Sequence, residues 1–291
     1  SDWSSDVCSS DLMKRQESPA SINHQNKKTM EKEPLFIAFA SQKGGVGKTA
    51  FTVLTAGILH YQRGYNVAVV DCDAPQHSIT QMRSRDMERI GENDSLKVAL
   101  YRQHEQLRKL AYPIIESDPE NAVADFNRYR EERGMEFDIV LFDLPGTLRS
   151  IGVIQTVASM HHIFIPLKAD NIVMQSSLQF AAVVEEELVA RRNCDLRGIH
   201  LFWNMIDKRE RKETYESWNK VMRASKLHLL ETCIPDTKRY NKELSALQGS
   251  VFRSTLLPAD NRQIKGSGLV ELVDEICGIT GLGKYSPSPD A

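Results

Sequence analysis

One glycine-rich stretch has the residue types and the spacing to hold a phosphate group. It runs from Ser41 to Thr49, S-Q-K-G-G-V-G-K-T, and joins the apolar run Leu35 to Ala40 to the helix-compatible segment Ala50 to Gln62. Because its three glycines carry no Cβ, successive backbone N–H groups can curl around phosphate oxygens. The N-terminus of the following helix adds a partial positive charge. A strand, a glycine-rich turn and a helix in this order predict a phosphate-binding loop.

Two lysines and a threonine give this loop its chemistry. Lys48 can reach the β- and γ-phosphates of a nucleoside triphosphate, and the hydroxyl of Thr49 can serve Mg²⁺. The standard pattern G-x-x-x-x-G-K-S/T has a glycine where Gln42 stands, and Lys43 is an additional lysine inside the loop. The alternative for Lys43 is an ordinary solvated lysine. The agreement of strand, loop, lysine and helix favours a nucleotide site.

The letters K-G-G-V-G-K-T resemble the deviant Walker A motif of the ParA/MinD family of dimeric ATPases. The resemblance implies a P-loop α/β fold, with a doubly wound, mostly parallel sheet and helices on both faces, and it implies ATP and Mg²⁺ as cofactors. It also implies that Lys43 crosses a dimer interface to the partner's nucleotide, which couples ATP occupancy to homodimer formation. The residues that it assigns to nucleotide binding here are Gly44, Gly45, Val46, Gly47, Lys48, Thr49 and Ala50, with Thr49 also a metal ligand and Lys43 and Lys48 also catalytic.

Two aspartates follow the predicted second strand, Asn66 to Asp71, in the segment V-V-D-C-D-A-P-Q-H-S. The carboxyl ends of the strands are where a doubly wound sheet places its chemistry. The resemblance implies that Asp71 supports the Mg²⁺ and lysine network and that Asp73 positions the attacking water. The family pattern is D-x-D-P-Q, whereas here Ala74 precedes the proline, which leaves the roles of the next polar residues open. A strand end followed by a proline turn is the alternative interpretation.

A third carboxylate ends the apolar segment Phe137 to Leu144, F-D-I-V-L-F-D-L, which predicts another buried strand. Asp143 stands at the position that holds Mg²⁺ through water in P-loop proteins. The family continues D-x-P-P, and this chain has D-L-P-G. Gly146 therefore either makes the following loop mobile or donates its N–H to the γ-phosphate.

Two later segments match the part of the family that binds the base. Asn204 is the second-last residue of the predicted strand Gly198 to Met205, and Ile234-Pro235-Asp236 follows the predicted strand Leu227 to Cys233. The resemblance implies that Asn204 hydrogen-bonds the adenine edge and that Pro235 and Asp236 close over the base. The guanine signature N-K-x-D is absent, which favours ATP over GTP. An asparagine at a strand end is also an ordinary turn residue.

Basic residues are concentrated late in the chain. ParA-like ATPases use this part of the fold to bind DNA without sequence preference, a contact that needs charge and little else. The residues that we assign to this role are Lys208, Arg209, Arg211, Lys212, Lys238 and Arg239. Further cations nearby are Arg223, Lys226, Lys242, Arg253, Arg262 and Lys265. Solvated helix faces balanced by acidic residues are the alternative, and both interpretations stay open.

Length and composition limit the possibilities. The 291 residues suffice for one large α/β domain, which we place at 34–282, between a disordered or extraneous extension at 1–33 and a disordered tail at 283–291. The net charge of -2 excludes a bulk polycation. Five cysteines without C-x-x-C spacing argue against a zinc site or a disulfide framework. A reducing cytoplasm is the simplest compartment for such cysteines. No apolar run approaches about 20 residues, so we expect no stable membrane insertion.

The remaining segments carry no chemical motif. His161 and His162 are adjacent on a predicted strand and point to opposite faces, so we interpret them as structural. The last helix is acidic, unlike the basic membrane helix of MinD-like proteins, so we expect it to pack on the sheet. The other predicted elements are a helical segment at 79–109, a short strand at 112–115, a helix at 119–133, a strand at 162–167, a helix at 170–191 and the last helix at 268–279.

Longer stretches resemble one branch of the family. V-L-F-D-L-P-G-T, H-L-F-W-N-M-I-D-K-R and I-P-D-T-K-R-Y-N-K-E-L look like the ParA-type conjugal transfer proteins of conjugative transposons. The resemblance implies a slow Mg²⁺-dependent ATPase that acts as an ATP-sandwich dimer in DNA partition or conjugative transfer and is stimulated by a ParB-like or transfer-machinery partner. The alternatives are a MinD-like positioning ATPase on a membrane or protein scaffold, and an ATP-gated adaptor that scarcely hydrolyses ATP.

Overall fold

The structure is a computed structural model that describes residues 33–146, 151–189, 194–207, 209, 211–241 and 251–283. The predicted N-terminal extension and C-terminal tail lie, apart from their innermost residues, outside the described ranges, and their expected disorder stays a prediction. Within these ranges, strands alternate with helices along the chain.

Seven strands in the described part of the chain form one sheet. They are β1 Leu35–Phe39, β2 Val67–Asp71, β3 Ile114–Glu116, β4 Ile139–Asp143, β5 His162–Leu167, β6 Gly198–Ile206 and β7 His228–Pro235. Their order is β3-β2-β4-β1-β5-β6-β7, and every pairing is parallel. This arrangement confirms the predicted doubly wound α/β fold, and the sheet of the described residues is wholly parallel.

Helices connect the strands and cover both faces of the sheet. The α-helices are α1 Lys48–Gly57, α2 Ser78–Gly91, α3 Asp94–Leu107, α4 Ala122–Arg133, α5 Ile151–Ala158, α6 Asn171–Val184, α7 Lys212–Ala224, α8 Asn261–Ile264 and α9 Leu269–Thr280. Helix α1 continues as a π-helical turn at Ile58–Gln62 and α6 as another at Glu185–Val189, and a 3₁₀ turn spans Lys238–Asn241.

Alternating side chains of the strands build two apolar layers. In β1, Ile37 and Phe39 pack in the cluster that includes α1, α2 and α9. Phe36 and Ala38 pack in the cluster on the opposite face, which includes α4, α5, α6 and α7. Because helices cover both faces, the strands are almost continuously apolar. Their polar residues at the carboxyl ends are therefore exceptions with a local reason.

The helical segment predicted at 79–109 is in fact two helices. Helix α2 ends at Gly91, and the side chain of Asn93 then caps α3 by accepting a hydrogen bond from Leu96 N at 3.0 Å. A glycine followed by an N-capping asparagine is a local signal for such a break. The helix predicted from Pro119 begins three residues later, and regular α-helix in the segment 170–191 ends at Val184.

Strand β7 is longer than predicted, because it includes the two residues that we expected in a loop. Ile206 pairs with Pro235, and Asp236 N donates to Ile206 O at 3.0 Å. Proline is tolerated there because β7 is an edge strand and Pro235 is its last residue. Only Asp236 of the predicted Ile234-Pro235-Asp236 loop lies beyond the strand.

The last helix, α9, packs on the sheet as expected. Two of its three carboxylates have partners within the protein: Asp274 pairs with Arg63 at 2.5 Å, and Glu275 accepts from the backbone N–H groups of Glu231 and Thr232. Its buried apolar residues are Leu269, Leu272, Val273 and Ile276. No helix in the described ranges has the length and apolarity needed to cross a bilayer.

Candidate functional site

Two of the predicted carboxylates end neighbouring strands. Asp71 closes β2 and Asp143 closes β4, and the two residues are partners in the parallel register of these strands. Strand β1 lies on the other side of β4, and its carboxyl end leads directly into the glycine-rich loop. The sheet therefore brings the loop and the aspartates to one edge, as the sequence predicted.

Asp143 contacts the threonine of the loop. Thr49 Oγ1 donates a hydrogen bond of 2.7 Å to Asp143 Oδ2. The carboxylate is 1% exposed, and burial raises its pKa to about 7 against the opposing effect of the Thr49 hydrogen bond. The other oxygen, Oδ1, is buried without a hydrogen-bond partner. A buried carboxylate with an unused oxygen beside a hydroxyl is suited to a divalent cation.

Asp71 holds the start of a helix. Its Oδ2 accepts hydrogen bonds from Ile79 N at 2.9 Å and from Thr80 N at 3.1 Å, which caps the first turn of α2. Burial raises its pKa, while the hydrogen bonds from Thr80 and Ile79 lower it. One oxygen of Asp71, the predicted metal-network residue, thus positions α2, which begins five residues after Asp73.

The glycine-rich loop has the backbone that a phosphate cradle requires. Gly45 and Gly47 have φ angles of 77° and 93°, which other residues rarely adopt. A Cβ on Gly47 would lie 3.2 Å from the Phe51 ring and 3.3 Å from Asn204 Nδ2. A side chain at Gly47, where the loop turns into α1, would therefore be strained by the backbone angle and crowded by Phe51 and Asn204.

The two lysines of the loop differ in position. Lys48 Nζ lies 3.7 Å from where a Cβ on Gly146 would stand, and the Lys48 charge lowers the pKa of Asp143. Lys43 is exposed at the surface of the loop, where its N–H donates to Ser41 Oγ at 3.2 Å. Lys48 thus belongs to the carboxylate cluster, and Lys43 faces away from the protein interior.

A cavity of about 420 Å³ opens above the loop. The residues that line it are Gly44, Gly45, Gly47, Lys48, Thr49, Ala50, Phe51, Asp73, Gln76, Asn204, Met205, Pro235, Asp236, Thr237, Tyr240 and Arg253. The cavity brings together Asp73, the loop and the predicted base-binding residues. Four predicted site residues lie outside this lining, namely Lys43, Val46, Asp71 and Asp143. Of these, Asp143 accepts a hydrogen bond from the lining residue Thr49, and Val46 accepts one from the lining residue Asn204.

Asn204 ties the base end of the cavity to the loop. Its Nδ2 donates to Val46 O at 2.9 Å, and its Oδ1 accepts from Met205 N at 2.8 Å. The following residue, Met205, has a φ of 55°, which turns the chain away at the end of β6. Asn204 is buried and fixes the loop position in addition to lining the cavity.

Several lining residues were not predicted. Tyr240 packs with its ring 5.7 Å from Phe51 and 5.2 Å from Phe252, and its hydroxyl donates to Ser267 O at 2.9 Å. An aromatic residue five positions after Pro235 was the available signal. Arg253 appeared in the sequence only as one of the late basic residues, and no spacing connects it with the loop.

Some of the basic residues that we predicted to bind DNA have partners within the protein. Arg209 pairs with Asp207 at 2.8 Å, and Arg239 donates to Gln263 O and Lys265 O at 3.1 and 2.8 Å. Arg239 thus has a structural role beside α8 and is partly exposed, and its predicted contact with DNA stays a prediction. Arg211, Lys212 and Lys238 are exposed, and Lys208 and Lys242 lie outside the described residues.

The histidines are structural, as expected. His161 Nδ1 accepts from Phe36 N at 2.8 Å on one side of β5. On the other side, His162 and His200 lie with ring nitrogens 3.0 Å apart, and His200 and His228 with theirs 2.8 Å apart. Burial lowers the pKa of His162 to about 4 and that of His200 to about 3. No group of three or more candidate metal ligands occurs among the described residues.

The sequence also matches a known family over most of the described chain. The model of the CobQ/CobB/MinD/ParA nucleotide binding domain matches residues 37–249. The chain belongs to this family. The match begins in β1 and includes the loop, both carboxylate strands and the residues of the base end. No curated protein matches the chain.

Solved structures share this fold at low sequence identity. A plasmid partition protein from Borrelia burgdorferi B31 bound to AMPPNP superposes with a TM-score of 0.51 at 18% identity over 84% of this chain and 100% of its own. The MinC:MinD cell division complex from Aquifex aeolicus superposes with a TM-score of 0.51 at 16% sequence identity, over 87% of this chain and 99% of its own. Cobyrinic acid a,c-diamide synthase from Mycobacterium smegmatis, with an ATP analogue and magnesium, has a TM-score of 0.55 at 19% identity, over 88% of this chain and 100% of its own.

Proposed function

We propose that the chain is a Mg²⁺-dependent ATPase that forms an ATP-sandwich homodimer and acts as a nucleotide switch in DNA partition or conjugative transfer. The observation that carries the proposal is the junction of Thr49 and Asp143 beneath a cavity lined by the glycine-rich loop and Asp73. Family membership supports nucleotide binding, and the fold relatives with bound AMPPNP or ATP analogue support ATP as the nucleotide.

The residues present fit a magnesium nucleotide. The unpartnered Asp143 Oδ1 and the Thr49 hydroxyl provide hard oxygen ligands or hydrogen-bond acceptors for metal-bound water. Bound Mg²⁺ would neutralise charge on the phosphates and polarise the γ-phosphoryl group. Asp143 serves this role when it is deprotonated, and Asp71 keeps α2 and the adjoining Asp73 in place.

The chain's own side chains divide the remaining work. Lys48, close to Gly146 and Asp143, stabilises negative charge on the transferred phosphoryl group. Asp73 lines the cavity from the loop after β2 and accepts a hydrogen bond from the attacking water, which it orients. Asn204, Pro235 and Asp236 bind the adenine end. Gly146 brings backbone rather than a side chain against Lys48, which leaves space for the γ-phosphate.

Lys43 is the residue through which a second copy enters the proposal. It is exposed next to the phosphate cradle, so its ammonium group can reach a nucleotide held by a partner subunit. Each nucleotide would then contact lysines of both subunits, and the dimer would form only with ATP. Hydrolysis removes the γ-phosphate that the two subunits share, and the dimer then dissociates. The rate of hydrolysis therefore sets the lifetime of the dimer.

The dimer is proposed to bind nonspecific DNA in the cytoplasm through the exposed cations Arg211, Lys212 and Lys238. A ParB-like or transfer-machinery protein would accelerate its slow hydrolysis. A MinD-like membrane role is less well supported, because the apolar face of α9 is buried against the protein. An ATP-gated adaptor would use the same site to bind ATP but would scarcely hydrolyse it.

DNA binding by the Asp73→Ala protein tests the proposal. This variant should retain ATP, so anisotropy of a labelled nonspecific duplex is measured with Mg²⁺-ATP and with Mg²⁺-ADP over a salt series. We expect tight, salt-sensitive binding only with ATP. Lys212→Glu should weaken it, whereas Arg128→Glu is the control, because α4 lies at the opposite end of the sheet. Equal binding with both nucleotides, or none, contradicts the DNA switch.

A further inference from the structure

A segment outside every predicted motif supplies a cation to the nucleotide cavity. Arg253 is half-buried and lines the same cavity as Lys48, Asn204 and Tyr240. Among the described residues, Lys48 and Arg253 are the two cationic side chains in this lining. The segment 251–260 that carries Arg253 lies between the end of the family match and α8.

The backbone after Arg253 is held by a buried carboxylate of α2. Asp86 Oδ2 accepts hydrogen bonds from Ser254 Oγ at 3.0 Å, from Thr255 N at 2.7 Å and from Thr255 Oγ1 at 2.9 Å. Asp86 is fully buried. A buried carboxyl group is costly unless hydrogen bonds satisfy it, and these three hydrogen bonds come from two successive residues. What it fixes here is the main chain next to Arg253.

Thr255 is held from a second direction as well. Arg83 Nε donates to Thr255 Oγ1 at 2.9 Å, and Arg83 Nη2 donates to Thr255 O at 3.1 Å. The hydroxyl of Tyr61, in the π-helical turn after α1, donates to the same carbonyl at 2.8 Å. Thr255 therefore receives hydrogen bonds from two directions. One comes from the turn that continues α1, after the phosphate loop, and the others come from α2, after Asp73.

The backbone before Arg253 is fixed by aromatic packing at the base end of the cavity. Phe252 is 1% exposed and contacts Tyr240 edge to face, with ring centroids 5.2 Å apart. Tyr240 in turn packs against Phe51, which lines the cavity. Arg253 thus follows directly after a residue that packs on Tyr240, and it shares the cavity lining with Tyr240 and the predicted base-binding residues.

We propose that Arg253 contacts the bound nucleotide at its nucleoside part, and that Thr255 and Asp86 are the positioning residues that aim it. The planar guanidinium offers a cationic face for the base and N–H donors for ribose hydroxyls. Since its backbone is held on both sides, only the freedom of its side chain is lost when it binds. The inference rests on the proposed function, because it takes an adenine nucleotide to be the occupant of the cavity.

Calorimetric titration of the full chain with Mg²⁺-ADP and with a non-hydrolysable Mg²⁺-ATP analogue tests this inference. Arg253→Ala should weaken both ligands by the same factor, about tenfold, because both contain the nucleoside. Arg253→Lys should recover only part of the loss, since lysine lacks the planar face. The matched control is Arg262→Ala, an exposed arginine on α8 outside the lining, which should leave both affinities unchanged.

The outcomes separate this inference from the proposed function. Unchanged affinities in Arg253→Ala, or a loss confined to the triphosphate, would overturn the inference while the wild type still binds ATP. A wild-type protein that binds neither nucleotide overturns the proposed function itself and the inference with it. The melting temperature of the ligand-free protein should be the same for Arg253→Ala and Arg262→Ala within a few degrees, which distinguishes a lost contact from a damaged fold.

A double-mutant cycle tests the positioning role. Thr255→Val keeps the shape of the side chain and removes the hydroxyl that contacts Asp86 and Arg83. It should weaken nucleotide binding several-fold when Arg253 is present and have no effect in the Arg253→Ala background. Losses that multiply in the double variant would show that Thr255 acts independently of Arg253 and would overturn its assignment as a positioning residue.

Discussion

Thr49 and Asp143 are joined by a 2.7 Å hydrogen bond although they are far apart in the sequence and belong to different elements. Thr49 lies in the first turn of α1, and Asp143 is the last residue of β4. Their contact couples the phosphate loop to the strand that carries the buried carboxylate. It also places a group with a pKa of about 7 where a cation is proposed to bind.

Asp143→Asn should stabilise the ligand-free protein at high pH. Burial raises the folded-state pKa to about 7, so the folded protein holds this proton more tightly than the unfolded chain does. The free energy of unfolding therefore falls as pH rises from about 4 to 7 and stays low above that. Asparagine removes this cost and can still accept from Thr49. Urea unfolding without Mg²⁺ should show a gain of about 1–3 kcal/mol at pH 8 and little change at pH 4.5.

The same variant should bind Mg²⁺-nucleotide more weakly at pH 8, because the neutral amide lacks the anionic charge that favours Mg²⁺. An equal stability change at both pH values would contradict the buried-charge explanation. Thr49→Val is a useful comparison, since it removes the hydrogen bond and leaves the carboxylate.

The two lysines of the loop should have separable effects. Lys48→Ala should abolish measurable binding of a fluorescent ADP analogue, because Lys48 lies in the carboxylate cluster facing the phosphate cradle. Lys43→Ala should leave ADP affinity within a few-fold of wild type, because Lys43 is exposed and is proposed to act on the partner's nucleotide. Equal losses in the two variants would place Lys43 in its own subunit's site.

Gly47→Ala should disturb the phosphate loop, whereas the same substitution at a control glycine should not. Gly47 has a φ of 93°, and an added Cβ would press on Phe51 and Asn204. We expect a loss of about 1–2 kcal/mol in stability from the left-handed backbone and a more than tenfold loss of nucleotide affinity. Gly57→Ala, at the other end of α1 and with open space around its Cβ position, should be neutral or stabilising. Normal nucleotide binding by Gly47→Ala would count against the cradle.

The histidine row should make stability depend on pH. Burial depresses the folded-state pKa of His162 to about 4 and of His200 to about 3, below the unfolded value of about 6.5. Their stabilising effect is therefore complete above pH 6.5 and is lost as pH falls toward 4. His200→Gln should flatten this slope by up to about 1.4 kcal/mol per pH unit in urea unfolding between pH 6.5 and 4.5. An unchanged slope would mean that His200 does not titrate as described.

The fold and the phosphate end of the site were accessible from sequence, because each depends on local patterns. The apolar strands end in Asp71 and Asp143, and the glycines of the loop are contiguous with both a strand and a helix. Parallel topology then brings the strand ends together whatever the connections contain. The break between α2 and α3 at Asn93 also has a local signal in the sequence. The prediction of one helix missed it because charged residues continue on both sides of the break.

The rest depends on contacts between distant segments that no periodicity encodes. Arg253 lines the cavity from a segment that the Thr255–Asp86 hydrogen bonds hold in place, and Arg239 donates to two backbone carbonyls. In both cases an arginine from the late basic group is partly buried and is positioned by contacts with a distant segment. The capping of α2 by Asp71 is likewise invisible in sequence, since the residue type fits a metal ligand equally well.

The oligomeric state of the Asp73→Ala protein tests the central claim most directly. Size-exclusion chromatography with light scattering is run with Mg²⁺-ATP and with Mg²⁺-ADP, alongside the Asp73→Ala, Lys43→Ala double variant. The account predicts twice the monomer mass for Asp73→Ala with ATP, the monomer mass with ADP, and a monomer for the double variant in both. A monomer with ATP despite bound nucleotide, or a dimer that persists in ADP or without Lys43, would contradict an ATP-sandwich switch.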